Sequence, residues 1–236
     1  MQEDSIGKGT NKYANYGNKK LIKEVAILMP IVDISFPVFG TELMVDHGYP
    51  LFSAVSQKIP EFHDDEINIH PIFGVVNRRN RTLRLTGRSR LVFRMDHIKL
   101  PIVLPLAGST LDIGQYRIRL GIPEAQLLKP SAVCKSRLVT IKGYVDAEPF
   151  LKAVHQQLER LGISGSPKLL VRKDPKPDGT SYVKRTIKIR DKDVVGFAVQ
   201  VEGLSDESSI RLQEVGIGGR RKMGCGVFVP VKKERI

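Results

Sequence analysis

The stretch GIGGRRKMGCG, Gly216–Gly226, places five glycines around three basic residues, ten residues before the end of the chain. Glycine accepts backbone conformations with positive φ, so successive N–H groups can converge on one anion, while arginine adds bidentate contacts to phosphate. A tight glycine turn at a crowded domain interface is the alternative interpretation. The residues predicted to bind the anion are Gly216, Gly218, Gly219, Arg220, Arg221, Lys222, Gly224 and Gly226.

Two familiar phosphate-binding motifs do not match this loop. A P-loop has Lys and then Ser or Thr directly after its last glycine, whereas Cys225 and Gly226 follow Gly224. The dinucleotide fingerprint requires a third glycine where Arg221 stands, and it opens a helix, whereas a strand is predicted here. The sequence therefore predicts no nucleotide cofactor, and we expect none of another kind.

The charge of the chain indicates a polyanionic partner. The formal net charge is +13 over 236 residues, and the segment Arg78–Arg94 contains seven arginines and no acidic residue. Such runs commonly face phosphate, although a solvated basic surface is the simpler alternative. A second basic track is predicted from Arg78, Arg79, Arg88, Arg90 and Arg94, and a third from residues 172–185.

Other features exclude several protein classes. No apolar run approaches the roughly 20 residues that span a bilayer, and the first residues are polar rather than signal-like. Cys134 and Cys225 are isolated, which is typical of a reducing compartment. We therefore expect a cytoplasmic protein that does not bind membranes.

The order of predicted elements repeats. A strand at 23–35, a helix at 47–59, strands at 67–76 and 81–94, a short helix at 96–108 and a strand at 115–121 give β-α-β-β-α-β. A strand at 137–145, a helix at 147–162, strands at 182–190 and 194–202, a helix from Ser205 to Val215 and a last strand repeat that order.

This repetition predicts an α+β fold of two tandem ferredoxin-like (βαββαβ, RRM-like) domains. The expected boundaries are a flexible lead-in at 1–20, an N-terminal domain at 21–125 and a C-terminal domain at 126–236. His47 belongs to the first domain and the glycine loop to the second.

The loop also has the form G-h-G, five residues including Arg or Lys, then G-h-G, where h is apolar, as the last element before the final strand. This resembles the signature of the RAMP superfamily of CRISPR proteins. Segments such as "VDHGYPLFSAVS", "PLAGSTLDIG" and "SRLVTIKG" are similar to the repeat-processing endoribonuclease, Cas-six, of the MYXAN subtype, over residues 24–230.

The resemblance implies an activity and partners. It implies metal-independent cleavage of precursor CRISPR RNA within each repeat, by attack of a ribose 2′-hydroxyl on the neighbouring phosphate. The products would be a 2′,3′-cyclic phosphate and a 5′-hydroxyl. It also implies that the cleaved RNA stays bound by its 3′ hairpin while the protein joins a Cascade-type (type I) CRISPR effector complex.

Proton transfer in such a reaction suits a histidine, whose pKa lies near neutrality. A lone histidine is more often structural, but the resemblance points to His47, in "VDHGYP" at the start of the first helix, as the catalytic residue. Tyr49 or Ser53 are candidates to orient the 2′-hydroxyl, and Lys58 to stabilise the phosphorane.

The other histidines have structural interpretations. His63 and His70 flank "DDE", which would allow a metal site of His63, Asp64, Asp65 and His70. The spacing favours a solvated loop instead, and no metal is predicted. His97 can cap a helix and His155 lies beside an apolar stripe.

Three other functions stay open on the sequence alone. A non-catalytic RAMP subunit that binds CRISPR RNA would share the fold and the loop. An unrelated basic RNA-binding protein, for example of the ribosome, would leave the loop pattern unexplained. A metabolic enzyme would need a cofactor motif that the sequence lacks. The absence of tryptophan argues against a base-stacking platform, so the RNA hairpin is expected to be recognised mainly by shape and phosphates.

Overall fold

The computed structural model of the protein describes residues 30–63, 66–172 and 181–231. Within these ranges the chain is a mixture of helices and antiparallel sheets. No helix in the described part of the chain is long and apolar enough to cross a membrane.

The first half of the described chain contains one large sheet and a small accessory sheet. Its elements are β1 (Ile31–Phe39), β2 (Glu42–Met44), α1 (Gly48–Lys58), β3 (Asn68–Ile69), β4 (Val75–Asn77), β5 (Thr82–Arg84), β6 (Arg90–Asp96), α2 (Leu100–Val103), β7 (Thr110–Ile113), β8 (Tyr116–Leu120) and β9 (Glu124–Leu127). The large sheet has the order β3-β6-β1-β8-β7, with β9 also paired to β1, and the accessory sheet has the order β2-β5-β4.

The second half has one sheet and two helices. Its elements are β10 (Val133–Val139), α3 (Ala147–Arg160), β11 (Ser166–Leu169), β12 (Lys184–Ile189), β13 (Lys192–Glu202), α4 (Asp206–Val215) and β14 (Val229–Pro230). The strands follow the order β11-β13-β10-β14, and β12 pairs with β13. A single 3₁₀ turn, Arg221–Met223, lies inside the glycine loop.

The two halves repeat one topology. If the strands that flank the helices are numbered within each half, both sheets have the spatial order 2-3-1-4: β3-β6-β1-β8 in the first and β11-β13-β10-β14 in the second. Each sheet has its own buried apolar cluster, one drawn from residues 32–120 and the other mainly from residues 134–228. The predicted α+β fold of paired ferredoxin-like units is confirmed.

Local sequence signals account for the long helices. Phe150, Val154 and Leu158 form a buried stripe on α3, and Gly162 follows the helix with φ of +65°. The side chain of Ser205 accepts a hydrogen bond from the backbone of Ser208 at 3.1 Å, which caps α4 as predicted.

Several strands differ from the prediction. The predicted strand at 67–76 is divided between β3 and β4, which pair with different strands. The predicted strand at 137–145 begins earlier, at Val133, and ends at Val139. The predicted strand at 81–94 is likewise divided, between β5 and β6. Strands β2, β7 and β9 were not predicted, because they are short and because all four residues of β9 are exposed and lack an apolar alternation. The part of the predicted strand before Pro30 lies outside the described residues.

A buried arginine joins the two halves. Arg94, on β6, is 1% exposed, and its Nε and Nη2 donate to the carboxylate of Asp33 at 2.8 Å each. Its Nη1 donates to the carbonyl oxygens of Gln213, at 2.9 Å, and Phe228, at 2.6 Å, in the second half. The prediction that Arg94 belongs to an RNA-binding track is therefore wrong, because its side chain is buried and its Nη1 is bound to carbonyl groups of the second half.

We predict that Asp33→Asn lowers the free energy of unfolding by about 3 kcal/mol, because it leaves the buried Arg94 without a counter-charge. Burial raises the pKa of Asp33, but hydrogen bonds from Arg94 and His70 outweigh this and hold it well below its ordinary value. The matched control is Asp112→Asn, since Asp112 and its partner Arg117 are 65% and 75% exposed. That change should alter stability by less than about 0.5 kcal/mol in urea denaturation, and equal effects of the two variants would contradict the role of Arg94.

Candidate active site and nucleic-acid interface

The ring of His47 is enclosed at the start of α1. The residue is 2% exposed, its Nε2 accepts a hydrogen bond from the backbone N–H of Ile72 at 3.0 Å, and its Nδ1 lies 2.9 Å from the carbonyl oxygen of Met44. Because Nε2 accepts, Nδ1 carries the proton and donates to Met44. Both ring nitrogens are therefore bound to the backbone in this conformation.

This environment keeps the imidazole neutral. Burial lowers the pKa of His47 to about 4, the hydrogen bond to Met44 opposes that change, and the charge of Arg137 adds to it. A neutral ring is the form that a general base needs at pH 7. The ring can take up a proton at Nε2 only after that atom leaves the N–H of Ile72.

The residue after the histidine brings α1 against the glycine loop. A Cβ atom at Gly48 would lie 2.5 Å from the carbonyl oxygen of Met223. Glycine is thus required here for close approach of the two backbones. The structure brings together the two sequence-distant candidates, His47 and the glycine loop.

The supporting candidates do not surround the ring. The hydroxyl of Tyr49 accepts a hydrogen bond from Nε of Arg190 at 3.4 Å, and Ser53, one helical turn further on, shares the face of Tyr49. Lys58 is exposed at the far end of α1, roughly 16 Å along the helix axis from His47. No contact of these three side chains with His47 is present among the described residues.

The glycine loop uses positive φ at Gly216, Gly218, Gly224 and Gly226, and also at Arg220. Its backbone N–H groups bind the protein itself. Those of Gly218, Gly219 and Gly226 donate to Oε1 of Gln157, to the carbonyl of Thr140 and to the carbonyl of Leu138, at 2.7 to 3.0 Å. These amides do not converge on an open concavity, so the tight turn at a crowded interface describes the backbone.

The side chains of the loop are available to an anion to different degrees. Arg220 is exposed and Arg221 is half-buried. Lys222 donates to the carbonyl of Phe62 at 3.2 Å and lies 5.7 Å from the centre of its ring. All three line a groove of about 850 Å³ between the two halves, together with Asn68 of β3 and Arg160 at the end of α3.

The arginines of the second predicted track lie around the accessory sheet. Arg78, Arg79 and Arg88 are exposed, and Arg78 and Arg79 line a groove of about 880 Å³ with Arg84 of β5. Arg90 is half-buried, and its Nη1 donates to the carbonyls of Gly87 and Ser89. The surface around β4 and β5 is therefore basic even though Arg94 is buried and does not contribute to it. Most of the third track, residues 173–180, lies outside the described residues.

The remaining histidines do not assemble a metal site in the described structure. Asp64, Asp65 and the side chain of His63 lie outside the described residues, so the metal hypothesis is not placed. Nε2 of His70 lies 3.5 Å from Oδ1 of Asp33. His97 lies beside Asp96, and His155 is exposed. Among the residues described, no three His, Cys, Asp or Glu side chains converge as metal ligands.

Sequence patterns did not point to Arg137. It lies on β10, between the buried residues Ser136 and Leu138, and lines the same cleft as His47. The one sequence feature that could have pointed to Arg137 is its position between two buried residues of a strand. That feature does not show that the strand faces the start of α1.

Paired ferredoxin-like units with a glycine loop between the last helix and the last strand define the RAMP class of fold. Three solved structures share it: "CRISPR associated protein Cas6" (TM-score 0.57, 14% identity, 86% of this chain), "An RAMP protein binding different RNA substrates" (0.59, 12%, 85%) and "Characterization of a Cas6-related gene from Pyrococcus furiosus" (0.59, 12%, 86%). Each of those chains is covered completely.

Sequence comparison identifies the family. Residues 32–233 match the model of the family described as "Cas6 Crispr". The chain is 38% identical over 204 residues to the "CRISPR-associated endonuclease Cas6" of Myxococcus xanthus (strain DK1622), covering 86% of this chain and 83% of that protein. The protein belongs to the Cas6 family.

A glycine-to-alanine pair tests the loop backbone. Gly226 has φ of +67°, and an added Cβ would lie 2.1 Å from the carbonyl oxygen of Ile217, so Gly226→Ala should lower the free energy of unfolding by at least about 2 kcal/mol. At Gly219 an added Cβ would have no atom within 4 Å, so Gly219→Ala should change the free energy of unfolding by less than about 0.5 kcal/mol. Equal urea midpoints for the two variants would contradict this packing.

The burial of His47 predicts a pH-dependent stability. Its pKa is lowered from 6.5 to about 4 on folding, so the unfolded chain binds the proton more tightly. The stability gained by keeping the ring neutral is complete above about pH 6.5 and is lost as the pH falls through 4, about 3 kcal/mol in all. Between pH 4 and 7, the free energy of unfolding measured by urea denaturation should change less with pH in His47→Asn than in the wild type. The exposed-site control, His155→Asn, should keep the wild-type slope, and an unchanged slope in His47→Asn would contradict the burial of a neutral ring.

Proposed function

We propose that this protein is an endoribonuclease that cleaves precursor CRISPR RNA within its repeats without a metal ion. The 2′-hydroxyl of one ribose attacks the adjacent phosphate, and the products are a 2′,3′-cyclic phosphate and a 5′-hydroxyl. The protein then retains the 3′ hairpin of the product as a subunit of a type I CRISPR effector complex. The N-terminal unit, residues 21–125, contributes His47, and the C-terminal unit, residues 126–236, contributes the glycine loop.

The identity of 38% over most of both chains to a protein named an endonuclease carries this proposal. The basic character of the chain supports it, since exposed arginines lie on the accessory sheet and in the glycine loop. Phosphate contacts of this kind supply most of the affinity for a nucleic acid and position it.

The proposed chemistry assigns one step to His47. Its neutral ring takes the proton from the 2′-hydroxyl at Nε2, after RNA binding has displaced the N–H of Ile72 from that atom. The 2′-oxygen forms a bond to phosphorus as the bond to the 5′-oxygen breaks, and a proton is delivered to that leaving oxygen. The cations that line the cleft stabilise the negative charge that develops on the phosphorane oxygens.

One observation favours a second candidate function, a non-catalytic subunit that binds CRISPR RNA. Both nitrogens of His47 are bound to the backbone and the ring is 2% exposed, which is the usual setting of a structural histidine. Under this alternative the RNA contacts stay the same and His47 only fastens the start of α1 to Met44 and Ile72.

The first experiment incubates purified protein with its own repeat RNA in EDTA, under single-turnover conditions. We expect wild-type cleavage, which a 2′-deoxyribose at the cut site abolishes. His47→Ala and His47→Asn should each lose at least about a hundredfold in rate, the usual contribution of a general base. His155→Ala, at an exposed histidine, should retain the wild-type rate.

The Asn variant separates catalysis from folding, because its side-chain amide can still donate to Met44. Hairpin affinity and the thermal midpoint are measured for every variant. Tight binding with no cleavage by the wild type would establish the non-catalytic subunit. Cleavage by His47→Ala at the wild-type rate would retain the endoribonuclease and exclude His47 as its base. Co-purification with the other effector subunits tests the assembly.

A further inference from the structure

A second cleft between the two halves combines basic and apolar walls. It has a volume of about 480 Å³, within the range of about 300 to 1,000 Å³ typical of small-ligand sites. His47 and Phe73 line it from the first half, and Lys135, Arg137 and Arg185 from the second. Phe73 is 60% exposed. The cleft thus offers positive charge next to an aromatic surface.

Arg137 lies in this cleft as a cation without a hydrogen-bonded counter-charge. Its Nε atom is buried and has no hydrogen-bond partner among the described residues. Burial lowers the pKa of its guanidinium, and the charge of Arg185 lowers it further. A half-buried cation whose Nε atom is buried without a partner destabilises the folded protein, so an anion that enters the cleft would be bound more strongly.

The nearest carboxylate does not pair with this arginine. Oδ2 of Asp46 accepts a hydrogen bond from the backbone N–H of Lys188 at 2.8 Å. Oδ1 of Asp46 is buried and has no hydrogen-bond partner in the described part of the chain. Asp46 therefore attracts Arg137 over a distance but leaves its donors available.

Arg185, which also lines this cleft, lies near a further cation, Arg172. Partial burial lowers the pKa of the Arg185 guanidinium on β12, and the charge of Arg172 lowers it further. Nε of Arg172 is directed to the carbonyl of Tyr182, at 3.3 Å, and not to a carboxylate. An anion placed between Arg137 and Arg185 would relieve the repulsion among these cations.

We propose that Arg137 and Arg185 bind one backbone phosphate of single-stranded RNA in this cleft, beside His47, with the unpaired base directed to Phe73. This inference rests on the RNA substrate put forward above. One unpaired nucleotide presents both an anion and a flat apolar face, which match the basic and aromatic walls of this cleft. Arg137 is a positioning residue, since it holds the phosphate backbone against the ring of His47.

The test couples a change in the protein to a change in the RNA. Repeat RNAs carry one neutral methylphosphonate at each successive position of the single-stranded segment. Each has 2′-O-methyl ribose at that nucleotide to protect the linkage and 2′-deoxyribose at the cut site to prevent enzymatic cleavage. Dissociation constants are measured for wild type, Arg137→Gln and Arg185→Gln. The control is Arg117→Gln, which removes the same charge from an exposed site paired with Asp112.

We expect Arg137→Gln to weaken binding of unmodified RNA about tenfold, the loss of one charge-assisted hydrogen bond. One methylphosphonate should weaken wild-type binding by a similar factor, and it should change binding by Arg137→Gln and Arg185→Gln by less than about twofold. Arg117→Gln should show no such coupling. Additive losses at every position in both cleft variants would overturn the proposal.

Stability supplies an independent readout. Because Nε of Arg137 has no hydrogen-bond partner within residues 30–63, 66–172 and 181–231, Arg137→Met should raise the thermal midpoint while it weakens RNA binding. If the Arg137 variants fail to fold, the proposal is judged on Arg185→Gln alone. Absence of coupling between this variant and any single methylphosphonate would then overturn the proposed phosphate site. Failure of the wild type to cleave repeat RNA would count against the endoribonuclease, whereas the phosphate site is judged by the binding cycle alone.

Discussion

The buried ion pair between Arg94 and Asp33 is the constraint on which the arrangement of the two halves depends. Arg94 comes from the central part of the first sheet, and its remaining donors meet carbonyl groups of α4 and of the segment before β14. A buried guanidinium tolerates little displacement, because each hydrogen bond that it loses leaves part of its charge without a partner. The position of α4 fixes the loop that follows it, and the loop in turn contacts the start of α1.

Much of the fold could be predicted from the sequence, because the long elements have strong local signals. The stripe Phe150, Val154 and Leu158 defines α3, and Ser205 marks the start of α4. The accessory sheet escaped prediction because β2, β4 and β5 have three residues each, too few for a period to appear. Their pairing is decided by tertiary contacts, which no local pattern contains.

The site was predictable in its components and not in its geometry. Residue types and resemblance pointed to His47 and the glycine loop, and the structure places them side by side through Gly48 and Met223. Which polar groups face inward was not predictable. Arg94 and Arg90 belong to one alternating strand, yet only Arg94 is covered by the second half. The exposure of Arg137 to the cleft likewise depends on how two separate sheets meet.

The inward hydrogen bonds of the glycine loop have a consequence for how fast the protein captures its ligand. Since the amides of Gly218, Gly219 and Gly226 are already satisfied, the loop backbone is preorganised before any RNA arrives. Binding of the proposed RNA at this loop then costs little backbone conformational entropy. The proposed RNA would therefore meet a loop that is already formed, and the net charge of +13 would make its rate of association depend on ionic strength.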